Sequence, residues 1–302
     1  MTVAHDVRAV DELREAAEHG RICALAAQGQ RDLQRCLAAH PALFAAAPFD
    51  AALASSVALA IAFSAPWCDA AELRLTNRAV LWGFALDWQV DHLATSAAEV
   101  DQLVRRQLAV AAGAPVTADD PLGRFLAEFR ADLAVAPAFA TLGGAWREAV
   151  RRTLEAMRRE WHWRTAGRDG LLPLPSLADY LANADNLACT VVNVGHWIST
   201  GGPDTPDRLD RLVAASDAVQ RALRLVNDLA TYERDLRWGD LNAIMLVEDR
   251  AVVERELTGL LARATELLDE LRADCPREAA YLTRQLGYTS GFYRSTDFWG
   301  VP

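Results

Sequence analysis

Asn227, Thr231 and Asp235 stand at i, i+4 and i+8 within Leu225-Val-Asn-Asp-Leu-Ala-Thr-Tyr-Glu-Arg-Asp235. At roughly 100° per residue, a helix gathers them within about 80° of one face, as a ladder of oxygens about 12 Å long. An amide, a hydroxyl and a carboxylate in a row suit a hard cation such as Mg2+. Arg224 and Arg234 flank the ladder, and paired guanidinium groups beside a metal suit a diphosphate. The same spacing also describes an ordinary solvated helix face, so the ladder alone does not decide.

A second stretch, Leu81-Trp-Gly-Phe-Ala-Leu-Asp-Trp-Gln-Val-Asp-His92, adds weight. Asp87 and Asp91 are i, i+4 on a segment otherwise rich in Trp, Phe, Leu and Val. Like charges at that spacing cost about 0.2–0.5 kcal/mol even when exposed. Burial raises the cost unless a cation sits between them. The pair therefore asks for a metal or for Arg partners.

Together the two stretches resemble the metal-binding motifs of class I terpene synthases, D-D-x-x-D and (N/D)-D-x-x-(S/T)-x-x-x-E. Asn227 to Asp235 fits the second, with Asp235 in place of Glu, and Arg224 fits an R-L-x-N-D form of it. In the first, Asp87 and Asp91 match the outer carboxylates and Trp88 replaces the middle one. The resemblance implies an all-α, single-domain helical bundle over residues 1–302 around a central cavity. It implies three Mg2+ ions held by Asp87, Asp91, Asn227, Thr231 and Asp235. Arg224 and Arg234 would contact the diphosphate, and Asp228 would belong to the helix scaffold.

Other positions refine the likeness. Tyr180-Leu-Ala-Asn-Ala184 is similar to the Y-L-x-N-A pattern of kaurene-synthase-like diterpene enzymes, where many sesquiterpene cyclases keep Arg at the last place. Near the C-terminus, where the family often carries an Arg-Tyr pair, this chain has Asp297-Phe298, and Arg294 is the substitute on offer. Phe84, Trp88, Leu187, Thr190 and Trp197 are candidates for the cavity wall, although helix-spaced aromatics also serve as core.

The elements that must position these residues read as helices throughout, without strand alternation. One or two amphipathic helices are expected over 10–39, a small-residue helix after Asp50, and a long helix opened by Asp69 that carries both aspartates. Asp119-Asp-Pro121 reads as a helix start. A helix over 144–164 leads into a loop at 167–175, where Arg164 and Arg168 either cover a phosphate site or are simply solvated. Ser176 caps the next helix. The apolar run 187–195 is either a helix distorted beside the cavity or an ordinary buried one. The second motif occupies a helix over 207–236, followed by helices at 254–273 and from 278. His196 reads as a core histidine.

Composition sets the outer bounds. The chain has 302 residues, 52% hydrophobic and 24% charged, enough for a large core. A net charge of −10 argues against a nucleic-acid surface. All 31 basic residues are Arg. Prenyl chain elongation, which uses Lys and a second full aspartate-rich motif, therefore fits poorly, as does head-to-head coupling. Five scattered cysteines without C-x-x-C suggest reduced, buried thiols. No signal pattern or membrane-length apolar run appears, so the expected location is cytoplasmic. The expected substrate is a prenyl diphosphate of C20 size, linear or bicyclic, supplied by a prenyl synthase or a class II cyclase. Farnesyl diphosphate and a sesquiterpene product are the nearest alternative, a non-catalytic helical module the most distant one. The assembly is either a monomer or a homodimer.

Overall fold

The computed structural model describes residues 2–168, 170 and 173–300, with side chains from Val10 onward. Asp169, Leu171 and Leu172, in the loop expected over 167–175, lie outside the described residues. Among the described residues every regular element is helical. The order is α1 (Thr2–Ala39), α2 (Ala51–Ser64), α3 (Arg74–Trp88), α4 (Ala97–Ala111), α5 (Pro121–Ala134) and α6 (Phe139–Arg168). Then come α7 (Leu177–Ala182), α8 (Cys189–Thr200), α9 (Leu209–Trp238), α10 (Arg250–Leu271) and α11 (Pro276–Tyr293).

Local chemistry sets the ends of these helices. Asp50, Ser96, Asp120 and Ser176 accept N–H bonds at the starts of α2, α4, α5 and α7, a contribution of about 1 kcal/mol each. Pro121 and Pro276 occupy first-turn positions, where a missing N–H costs nothing. Gly239 ends α9 at φ 76°, its N–H returning to the Asp235 carbonyl.

One expectation is corrected and one open alternative is decided. Asp69 does not open the long helix. Its carboxylate accepts from the Ala71 and Glu72 amides while Glu72 reaches back to the Asp69 N–H, which closes a separate turn, and α3 begins at Arg74. The break beside the cavity falls at the start of the run 187–195, and the rest of that run is an ordinary buried helix. A 3-10 turn, Ala184–Leu187, ends at Ala188 with φ 56°, and α8 is regular from Cys189 onward.

α2, α3, α6, α8, α9 and α11 surround a cavity, with α1 outside α2, α10 outside α9, and α4 and α5 outside α6 and α3. One apolar cluster runs through the bundle from Ile22 to Leu286. Trp82, Trp146 and Trp197 are at most 1% exposed within it. A smaller cluster around Tyr180, Leu225 and Val253 fastens α7 and α10 to α9. Buried aromatics of this size typically contribute about 3–5 kcal/mol each against truncation to Ala, so the frame around the cavity is firm.

Candidate active site

α3 carries Asp87 in its last turn, and the chain then widens into a π-helical turn, Gln89–Leu93, that holds Asp91. Both aspartates line a cavity of about 230 Å3. Arg164 Nη1 lies 3.0 Å from Asp91 Oδ1 and 2.7 Å from Asp240 Oδ1. Burial, with Asp240 close by, pushes the Asp87 carboxyl up to about 7. Asp91 is also raised, by burial and then by Asp87, against the pull of Arg164. Both shifts have the same order of causes, burial first and then a neighbouring carboxylate, which the nearby guanidinium groups only partly offset.

α9 brings the second motif to another wall of the same cavity. Asn227, Asp228, Arg234 and Asp235 line it, while Thr231 sits 2% exposed behind the ladder. The Thr231 hydroxyl lies 2.9 Å from the Asn227 carbonyl oxygen and 2.8 Å from Asp235 Oδ2. Asn242 Nδ2 donates to the same Oδ2 at 2.8 Å, and Arg234 Nε and Nη2 reach Oδ1 at 3.1 and 2.9 Å. Asn227 Nδ2 donates to the Tyr293 hydroxyl at 2.9 Å. Asp228, 1% exposed, accepts the Ala243 amide at 3.1 Å, a structural use of its side chain, and burial pushes it up to about 7.

Arg224 and Arg234 both face the cavity but are held differently. Arg224 is 5% exposed, bound to Glu160 at 2.8 Å and to the Tyr180 hydroxyl, with its guanidinium 4.3 Å from the Tyr180 ring centre. Arg234 bridges Asp235 and Asp297 and lies 5.2 Å from the Trp238 ring centre.

The remaining candidates divide. Phe84 and Leu187 line the cavity; Trp88, Thr190 and Trp197 do not. Trp88 lies about 100° around the helix from Asp87 and packs instead on His92, Trp299 and Phe49. The Thr190 hydroxyl is 3.1 Å from Ser216 Oγ and from Asp217 Oδ1, and Trp197 is core. Arg294, one residue past cavity-facing Tyr293, is turned away by the same helical rotation and is exposed. His196 is the expected core histidine, bonded to Thr76 and stacked on Tyr281. Cys189 borders the cavity and Cys23 is exposed, so the cysteines are not uniformly buried; all five are free.

Spacing missed Glu160, Asp240, Asn242 and Tyr293, and singled out Arg164 only as a residue that either covers a phosphate site or is solvated. Glu160 and Arg164 sit on an Arg-rich helix where i,i+4 pairs abound, and only the fold separates these two from their neighbours. Arg164 belongs to α6 rather than to a loop, and its side chain is 12% exposed.

Six carboxylates line the cavity, from Asp87, Asp91, Glu160, Asp228, Asp235 and Asp240. Three guanidinium groups, of Arg164, Arg224 and Arg234, answer them. Among the described residues no three Asp, Glu, His or Cys side chains converge on one point. The cavity thus offers two oxygen-bearing walls and a surplus of acid, which fits cations shared with an anionic ligand. Much of its remainder is apolar and aromatic, from Ile61, Phe84, Val192, Leu223, Phe298 and Trp299, with Ser64, Asn186, Gln285 and Thr289 among them.

Comparison with known proteins agrees with this arrangement. Residues 78–274 match the family model described as terpene synthase family 2, C-terminal metal binding. An ent-pimara-9(11),15-diene synthase of Streptomyces sp. (strain KO-3988) is 31% identical over 275 residues, covering 89% of this chain and 90% of that protein. The fold is shared with linalool/nerolidol synthase from Streptomyces clavuligerus, solved with 2-fluorogeranyl diphosphate, at a TM-score of 0.69 and 16% identity over 89% of this chain and 94% of the other. It is shared equally with 2-methylisoborneol synthase from Streptomyces coelicolor A3(2), solved with Mg2+ and geranyl-S-thiolodiphosphate, at 0.70 and 16% over 92% and 93%. With the family model matching well over half of its length, the chain belongs to terpene synthase family 2 and is a lyase acting on prenyl diphosphates.

Proposed function

We propose that the protein is a Mg2+-dependent class I diterpene cyclase, one domain over residues 1–302, acting on geranylgeranyl diphosphate or a copalyl-type bicyclic diphosphate. The carrying observation is the polarity of the cavity, with surplus carboxylates at and beside the two motifs and mainly aromatic and aliphatic groups elsewhere. The diterpene relative, 31% identical, supports the C20 size.

In this reading Asp87, Asp91, Asn227, Thr231 and Asp235 hold Mg2+, which when bound supplies the positive charge that balances a departing diphosphate. Arg234 contacts the diphosphate directly. Arg224, locked by Glu160 and Tyr180, fixes the start of the ladder and adds positive charge behind it. Phe84, Phe298 and Trp299 exclude water and offer ring faces to the allylic cation. No protein nucleophile is needed, because the C–O bond ionises once leaving-group charge is neutralised.

The test is incubation with C10, C15 and C20 linear diphosphates and bicyclic C20 diphosphates, with Mg2+ or chelator, followed by gas chromatography–mass spectrometry. A cyclic C20 product lost with chelator is expected. A product from farnesyl diphosphate alone would replace C20 by C15, and no product from any of them would overturn the reading.

A further inference from the structure

Arg234 is nine-tenths buried, yet its guanidinium is committed to two carboxylates, that of the adjacent Asp235 and that of Asp297, 63 residues further on. Nε and Nη2 are bound to Asp235 Oδ1, and Nη1 lies 2.9 Å from Asp297 Oδ2. Asp297 follows α11, in the tail whose Phe298 and Trp299 line the cavity. Its other oxygen, Oδ1, accepts the Gly300 amide at 2.7 Å. Asp297 is itself 11% exposed at the side chain, so this ion pair is sheltered from solvent. Asp235, meanwhile, receives Thr231 and Asn242 at Oδ2 and Arg234 twice at Oδ1. These contacts fill about the four lone-pair positions a carboxylate has. Asp235 cannot meet an incoming ligand without releasing something, and Arg234 has three of its five N–H donors committed, so its full fork reaches a ligand only when Asp297 lets go.

We infer that Asp297 is a positioning residue that parks Arg234, so that entry of a diphosphate and release of the Arg234–Asp297 pair are one event. The inference rests on the reading of the cavity as a diphosphate site. A diphosphate carries more charge than a single carboxylate and competes with Asp297 for Nη1. Once Arg234 swings to the ligand, Asp235 Oδ1 is uncovered on the cavity side. The parked pair lowers apparent affinity in proportion to the fraction of molecules with Arg234 ready.

The test is calorimetric titration of inorganic diphosphate, with Mg2+ and with chelator, into the wild type, Asp297→Asn, Arg234→Gln and the double variant. Asparagine keeps the acceptor for the Gly300 amide and removes the charge. Asp297→Asn should bind about tenfold more tightly, as expected if about one free molecule in ten has Arg234 ready. In the Arg234→Gln background the same change should have no effect. Asp297→Glu, which restores the charge, should return affinity toward the wild type. Unchanged or weaker binding by Asp297→Asn would overturn the inference. So would a gain that persists without Arg234, since that is plain charge repulsion. Absence of diphosphate binding in all four proteins would instead overturn the functional reading, and the inference with it.

Discussion

Asn242 Nδ2 donates to Asp235 Oδ2 at 2.8 Å and, with its other hydrogen, to the Asp228 carbonyl oxygen at the same distance. Asn242 is 0% exposed, and its Oδ1 accepts the Ile244 amide. The loop after α9 thus folds back to orient the last residue of the ladder. Asn242→Leu removes these bonds and leaves buried acceptors unpaired, at a cost of about 1–3 kcal/mol for each such group. The expected result is a lower urea midpoint together with a higher Mg2+ requirement for turnover. An unchanged Mg2+ titration would remove Asn242 from any part in orienting Asp235.

The acid surplus makes stability depend on pH in a definite direction. Asp87 rises from 3.8 to about 7 on folding, so between those values the folded state holds more protons than the unfolded one. The stabilising effect of its proton is complete below about pH 4 and is lost as pH climbs through 7. Asp91, Asp228, Glu160 and Asp240 are raised as well and act in the same sense. In chelator, the melting temperature should fall as pH rises from 4 to above 7. Asp87→Asn should flatten that slope, and a melting temperature that climbs through this interval instead would contradict the charge surplus.

The two motifs were legible in the sequence because ligand chemistry has a spacing that local helix geometry imposes. The caps at Asp50, Asp120 and Ser176 were legible for the same local reason, whereas α4, Ala97–Ala111, was not among the expected helices. Cavity lining was not, since whether Trp88 or Trp197 faces the cavity or the core depends on which helix packs against which face. Arg164 is a sharper case. It approaches Asp91 and Asp240, which are 73 and 76 residues away in sequence, and no local pattern encodes such a meeting.

Asp87→Ala and Asn227→Ala should each abolish turnover while leaving helical circular dichroism intact. Each side chain faces the cavity, and neither supports the apolar core. Normal activity in both variants would remove the proposed metal assignment.

Phe84 and Trp197 separate wall from core. Phe84 borders the cavity and touches Phe298 and Trp299 at centroid distances of 5.6 and 5.0 Å. Phe84→Ala should change the product distribution. Trp197→Ala opens a void in the core and should cost about 3–5 kcal/mol in unfolding free energy. A product change from Trp197→Ala at unaltered stability would place that indole on the reaction path.

Arg164 is the charge that lets Asp91 and Asp240 coexist. A single nitrogen approaches both carboxylates, and Nη2 reaches the Asp91 carbonyl oxygen at 3.4 Å. Arg164→Gln leaves two partly buried carboxylates without a counter-charge, a change that typically costs about 3–5 kcal/mol where one partner of a buried pair is removed. A cation held between Asp87 and Asp91 would supply part of what the guanidinium had provided. The variant should therefore be strongly destabilised in chelator and should gain more from Mg2+ than the wild type does, read as the difference in melting temperature between the two conditions. Equal Mg2+ shifts in both proteins would mean that the cation does not bind near Asp91, and the first motif would lose its assigned role.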